Sequence, residues 1–349
     1  MKRVEGSQYE VELKMPRITT SHSAEGAKKY FDVSLKTSDY YARDIGKWGG
    51  KGAAILGLKG EVERKDFVGL INNRWPGANG ERLTARTNKT RLEDVKDKKT
   101  GLPVIHPETR DVQKREVSNR RVGYDFTFSV PKSVSLYLAV NEDKIVEQVI
   151  AEALDETMAT IEARMETKVR KGYQHDNRVS PNMVYAKFVH GESRPVDGIP
   201  DPHYHIHVFA MNATFDEVEK EWKALEVGNT VGDRTFYEAH FHHLLAARLD
   251  LSGYGIRRTE QHFEFASVSR ELVEKFSRRT ELIEQRARDK YKVLEAEARG
   301  LMKSTNMAFD DAFAHVIAEI GGDWDKWKSD WELGTVKAKA RRSTKPGKS

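Results

Sequence analysis

Apolar residues recur at every second position in several stretches of this chain, and a period of two marks half-buried β-strands. Tyr124, Phe126 and Phe128 alternate with Asp125, Thr127 and Ser129. A second, more apolar strand runs from Met183 to His190. In a third, residues 203–213, Tyr204, Ile206 and Val208 share one face while His203, His205 and His207 share the other. Gly191, Pro195, Gly198, Pro200 and Pro202 make the segment between the last two a connecting loop.

Helical spacing governs much of the remainder. Ala24, Ala27, Tyr30 and Phe31 predict a helix over 23–31, and Gly46, Gly49, Gly50 and Gly52 a loop after it. Residues 129–133 read as a strand end turning into a helix, with Pro131 near its first position. The pattern from 141 to about 171 predicts a helix, as does 234–251; residues 254–265 read as a hairpin, and 267–302 and 306–320 as charged helices. Residues 82–121 are charged, poor in aromatics and interrupted by Gly101-Leu102-Pro103, which predicts a long insertion or flexible finger. The expected fold class is α+β: a central antiparallel sheet flanked by helices, with a C-terminal helical lobe. The expected division is an N-terminal arm 1–14, a main domain 15–290 holding the insertion, helices over 291–336 and a basic, disordered tail 337–349.

Composition narrows the classes. No run approaches the eighteen or so apolar residues of a membrane span, and Met1-Lys2-Arg3 lacks the apolar core of a signal peptide, so a soluble, cytoplasmic protein is expected. The absence of cysteine excludes disulfides, zinc-thiolate sites and thiol nucleophiles. No Gly-x-x-x-x-Gly-Lys-Ser/Thr occurs, which excludes ATP hydrolysis by a P-loop. Lys and Arg total 59 against 54 Asp and Glu, a modest excess that gathers at Lys96, Lys98 and Lys99, at Lys114-Arg115 and Arg120-Arg121, and over 337–348. Such clusters suit a polyanion, or a solvated surface.

The histidine strand carries the candidate chemistry. Neutral imidazole is the commonest metal ligand, and a His-x-His pair on a rigid strand can share one divalent ion; the alternative is a polar outer strand face. His190, ending the neighbouring strand, completes a three-imidazole set, and three protein ligands leave positions open for substrate or water. His240, His242 and His243 fall on a helix beside a Leu244-Leu245 core stripe and are not read as ligands.

Gly-Tyr-Asp-Phe-Thr-Phe-Ser-Val-Pro-Lys-Ser-Val-Ser (123–135), Phe-Val-His (188–190), Asp-Pro-His-Tyr-His-Ile-His (201–207) and Asp-Tyr-Tyr-Ala-Arg-Asp (39–44) occur together, with Trp48-Gly49-Gly50-Lys51-Gly52-Ala53 and Glu274-Lys275-Phe276-Ser277-Arg278-Arg279-Thr280. In these motifs the chain resembles the relaxase domain of the TrwC/TraI type, within the HUH endonuclease superfamily, over about residues 15–290. The resemblance implies metal ligands His190, His205 and His207, with His203 outside the set. It implies that Asp125 acts as base or orients a ligand histidine. Tyr30 matches the first nucleophilic tyrosine, with Phe31 where the family commonly has another, and Tyr40 and Tyr41 match the second cluster.

The implied activity is site- and strand-specific nicking and rejoining of single-stranded DNA at a plasmid transfer origin through a 5′ phosphotyrosyl intermediate. Tyrosine ordinarily ionises near pH 10, so attack on a phosphodiester needs a neighbouring base or a metal field. The expected cofactor is a divalent metal ion, Mg or Mn in use, with Zn, Ni, Co or Cu suited by affinity. Lys132 and Arg194 are candidate DNA-backbone contacts or surface ion pairs. Accessory relaxosome proteins and a coupling protein are the other expected partners. Rival readings are a rolling-circle replication initiator of the same superfamily, a cupin-like metal oxygenase and a non-enzymatic DNA-binding module. The cupin would want a glutamate where Met211 and Asn212 stand.

Overall fold

The computed structural model describes residues 17–22, 26–28, 46–76, 80–86, 90–95, 103–106, 109–118, 120–171, 174–259, 262–305 and 307–319. The arm 1–14 and the tail 337–349 lie outside these. In chain order the strands are β1 (Arg17–Ser21), β2 (Lys47–Gly49), β3 (Thr90–Asp94), β4 (Lys114–Ser118), β5 (Gly123–Ser129), β6 (Glu166–Lys171), β7 (Gln174–Val179), β8 (Tyr185–Glu192), β9 (Pro202–Met211), β10 (Thr214–Asp216), β11 (Glu221–Lys223), β12 (Leu225–Glu226), β13 (Ile256–Arg258) and β14 (Phe263–Phe265). The chain divides into two compact units, Met1–Ser193 with Pro202–Val273, and Arg194–Asp201 with Glu274–Ser349.

The first unit is built on a five-stranded sheet in the order β1-β5-β9-β8-β2, every pair antiparallel. One sheet face is apolar because the period of two makes it so. Tyr124, Phe126 and Phe128 of β5 and Ile206, Val208 and Ala210 of β9 are all buried. Helices cover that face. Phe128 meets Phe241 of the helix Arg234–Leu251 with ring centroids 5.4 Å apart, and Tyr137 of the helix Lys132–Asn141 meets Phe265 of β14 edge-on at 5.1 Å. His242 joins the same layers: its Nε2 lies 2.9 Å from the Ser129 carbonyl, tying the helix to the end of β5.

The opposite face is divided along the strands. At one end Phe188, Phe209 and Met211 pack with Trp48 and with Phe67, Leu70 and Ile71 of the helix Arg64–Ile71. Toward the other end the same face carries His190, His205 and His207, since His190 lies opposite His205 and Phe188 opposite His207. The apolar end fixes the sheet and leaves the polar end for chemistry.

The glycine-rich turn is held where β8 begins. The buried Glu162 carboxylate accepts hydrogen bonds from the backbone N–H groups of Lys51 and Met183, both at 2.7 Å. Burial pushes the pKa of this carboxyl up, although both bonds favour the charged form. Gly50 has φ of 92°, and a Cβ there would lie 2.3 Å from the Met183 carbonyl oxygen, so only glycine fits.

Several expectations are corrected. Residues 141–171 are not one helix: Glu142 adopts a left-handed conformation, Asp143 caps the helix Lys144–Glu162, and the chain then becomes β6. β6 pairs with β7 and β12, and its alternating Glu-Thr-Lys-Val-Arg-Lys keeps Thr167 buried while Lys168 is exposed. A charged strand imitates a charged helix in sequence, and pairing decides between them. The segment 82–121 contains an antiparallel pair, β3 with β4. A boundary at 290 falls inside the continuous helix Arg278–Thr305, and the helix expected over 267–302 breaks after Lys275.

In the second unit, Leu294 and Ala298 of the helix Arg278–Thr305 pack against Ala312, Phe313 and Val316 of the helix Phe309–Glu319. No helix among the described residues is long and apolar enough to cross a membrane.

Two tests follow from this packing. Gly50→Ala should cost roughly 2–4 kcal/mol in urea unfolding, from backbone strain and the clash with Met183; an unchanged midpoint would refute the close approach. His242 is held down at about 4 by burial, first, and by the neighbouring His262, despite its bond to Ser129. Its stabilising contribution is therefore complete above the unfolded value near 6.5. It declines by up to about 1.4 kcal/mol per pH unit as pH falls toward 4, because only the unfolded chain takes up the proton. His242→Gln should flatten that part of a stability-against-pH curve measured by denaturant titration.

Candidate metal centre and its support

Strand register brings the histidines together. β9 lies between β5 and β8, so His205 faces Ser129 on one side and His190 on the other, while His207 faces Thr127 and Phe188. Side chains directly opposite in an antiparallel pair share a face. The ring centroids are 5.2 Å apart for His190 and His205, 5.2 Å for His190 and His207, and 5.0 Å for His205 and His207. A register irregularity between His190 and Glu192 interrupts the pairing just beyond His190, and it resumes with Glu192 opposite Pro202.

The His205 and His207 rings are oriented by bonds at Nδ1. His207 Nδ1 lies 3.0 Å from each Asp125 oxygen and 3.2 Å from Thr127 Oγ1. His205 Nδ1 lies 2.8 Å from the carbonyl of His203. A ring that donates from Nδ1 keeps its lone pair on Nε2, the form in which imidazole binds a metal. Burial and the neighbouring histidines push the pKa of His205 down to about 3, so it stays neutral at physiological pH. With the rings turned as they are, no three His, Asp or Glu side chains among the described residues close around one point. The shared face and spacing are formed; a closed cage is not.

His203 stacks on His205 at 4.8 Å and lies 3.4 Å from Ser129 Oγ through its Nε2, at the edge of the cluster. His240 Nε2 is 3.4 Å from Thr160 Oγ1 and His242 is the histidine bonded to Ser129, so these two serve packing, while the third helix histidine, His243, is exposed. Lys132 donates to the Pro202 carbonyl at 2.6 Å and so holds the start of β9. Arg194 is exposed and belongs to the second unit. Tyr30, Tyr40 and Tyr41 lie outside the described residues.

Sequence reading missed two residues. Thr127 joins Asp125 at the His207 ring, a role signalled only by its place two positions along the same strand face. Asp201 is 2% exposed and bonded to Arg278, so the Asp-Pro opening of the histidine motif and the Ser-Arg-Arg motif meet in one contact. Separation along the chain hid this.

A family model described as TrwC relaxase matches residues 24–331. The multifunctional conjugation protein TraI of Escherichia coli is 29% identical over 276 residues, covering 75% of this chain and 13% of that protein. The chain thus spans about an eighth of the length of its curated relatives. A structure of conjugative relaxase TrwC in complex with mutant oriT DNA is 27% identical, with a TM-score of 0.59, covering 78% of this chain and 81% of that one. A metal-bound structure of TrwC in complex with oriT DNA is 25% identical, also with a TM-score of 0.59, over 92% and 98% of the two chains. The matched model takes in most of the chain, including β5, β8 and β9, which carry Asp125 and the three histidines, and the chain belongs to the TrwC relaxase family.

Proposed function

We propose that this chain nicks and rejoins single-stranded DNA at a plasmid transfer origin by tyrosine transesterification, using a divalent metal ion held by His190, His205 and His207. The observation that carries the reading is the three-imidazole face with its carboxylate. At metal–nitrogen distances of about 2.1 Å, ring centroids lie about 4.5–5.3 Å apart at coordination angles between octahedral and tetrahedral. The observed spacings of 5.0–5.2 Å fall within that range. All three donors are borderline nitrogen ligands, which suits Mn, Zn, Ni, Co or Cu by affinity and Mg by availability. A metal-bound form of a TrwC–oriT complex supports a metal cofactor in this reading.

When bound, such an ion supplies positive charge against a non-bridging phosphate oxygen as the transition state forms. The remaining work belongs to the chain. Tyr30 attacks the scissile phosphorus, its O–P bond forms as the P–O3′ bond breaks, and the strand leaves with a free 3′ hydroxyl. Attack by that hydroxyl restores the phosphodiester, so no ATP is consumed. Tyr40 and Tyr41 serve a second cleavage. Asp125, bonded to His207 through both oxygens, orients that ring and raises its basicity, a role that fits its geometry better than general base. Lys132 acts by holding β9, and Arg194 is the remaining backbone-contact candidate.

A single-stranded oligonucleotide from a matching transfer origin should give a denaturant-resistant adduct that chelation abolishes. Tyr30→Phe should lose the adduct while keeping DNA affinity, and peptide mapping that places DNA on Tyr40 or Tyr41 in the wild type would reverse the order. His205→Ala and His207→Ala should each lower nicking at least about a hundredfold with excess metal, DNA affinity being retained. Asp125→Asn should weaken metal affinity by about 10–100-fold. A deficit that disappears at high pH would assign Asp125 to proton abstraction instead.

A further inference from the structure

The loop joining β8 to β9, Arg194–Asp201, groups with the C-terminal helices and not with the sheet it connects. Its ends are close to the candidate ligands in sequence: His190 precedes Arg194 by four residues and His203 follows Asp201 by two. The loop is also stiff. Val196 and Ile199 exchange backbone hydrogen bonds at 3.0 and 3.1 Å around Asp197-Gly198, whose φ values of 52° and 80° suit the tight mirror-image turn that Asp-Gly favours.

The base of the loop is held at Asp201. Asp201 accepts from the backbone N–H of Arg278 at 3.1 Å and from its Nε at 2.7 Å, with a second guanidinium nitrogen on the same carboxylate oxygen; the Pro200 carbonyl lies 3.4 Å from that nitrogen. One carboxylate thus caps the helix Arg278–Thr305 and pairs with its first side chain. Pro202, the next residue, restricts Asp201 to extended conformations and begins β9. No freely rotating residue separates the ion pair from the histidine strand.

We infer that Arg278 is a positioning residue: through Asp201 it fixes the start of β9 and hence the placement of His205 and His207. The inference rests on the proposed ligand set for its consequence, but its first link is mechanical and is measured separately. Removing Arg278 takes the guanidinium away from the buried Asp201 carboxylate, which costs more than losing a surface pair. That cost is relieved by opening of the loop and the first residues of β9. Surface pairs on the same helix, such as Arg299 with Glu295, lack this linkage.

The test uses the whole chain with Arg278→Gln, Asp201→Asn and the control Arg299→Gln. Asp201→Asn keeps a side-chain oxygen for the helix cap while removing the charge, so it guards against a variant that fails to fold. Amide hydrogen exchange at residues 203–207 of the metal-free protein should rise about tenfold or more in both test variants, the loss of a charged hydrogen bond, and stay unchanged in the control. Titration calorimetry with Mn(II) should show weaker binding in the same two variants, and Arg278→Lys should restore part of it. Faster exchange confined to the first turn of the helix, with residues 203–207 exchanging as in wild type, would overturn the inference and leave the pair a helix cap only. Wild-type protein that takes up no Mn(II) would sink the proposed ligand set, while the exchange result would still decide the positioning role.

Discussion

The register of β9 between β5 and β8 is the constraint on which the rest depends. Side chains alternate strictly along a strand, so a slip of one residue would turn His203, His205 and His207 into the helix-covered core and expose Ile206 and Val208. The burial of Ile206, Val208 and Ala210 forbids that slip, since each apolar side chain returned to water costs about 1.5–3 kcal/mol for the larger ones. Apolar packing on one face thereby fixes imidazole geometry on the other. A metal centre placed on a central strand inherits the rigidity of both neighbours, which suits chemistry that depends on sub-ångström placement.

The ends of that strand are secured by polar contacts that act locally. Where it begins, Lys132 holds the Pro202 carbonyl and Ser135 Oγ accepts from Tyr204 N–H at 3.0 Å. Beyond its other end, Asn182 Oδ1 accepts from Phe215 N–H at 2.7 Å and Thr214 Oγ1 donates to the Asn182 carbonyl at 2.9 Å. Ser180 adds a further bond to Thr214 at 2.7 Å, so a fully buried polar group at the corner between β9 and β10 finds partners on every side. The buried Asp216 next to this corner is balanced by Arg178 at 2.7 Å and Lys223 at 3.1 Å. Such satisfied networks favour one arrangement because any alternative leaves a polar group unpaired.

Much of the architecture was legible before any coordinates. Alternation in 124–129 and 203–213 and the apolar run 183–190 marked the three central strands, and the alternation also placed His203, His205 and His207 on a single face, because periodicity alone decides faces. The helix at 234–251 was legible for the same reason. Residues 166–171 were not, since a stretch so rich in charged residues has no apolar stripe to distinguish a strand from a charged helix; pairing of Glu166 with Val179 and of Thr167 with Leu225 makes it a strand. The pairing of β3 with β4 was hidden in the same way within a segment poor in aromatics.

By itself, the sequence determined the element types with clear periods, the exclusion of thiol and P-loop chemistry, and the set of histidines worth considering. Only tertiary structure decided that β9 lies between β5 and β8, which brings His190 within 5.2 Å of both His205 and His207. It also decided that Asp125 turns to His207, that Thr127 joins it, and that Asp201 meets Arg278 across 77 residues of chain. The physical reason is that local periodicity encodes which way a side chain points, whereas the identity of its neighbour is settled by strand order and loop closure, and these are won by the packing of the whole core.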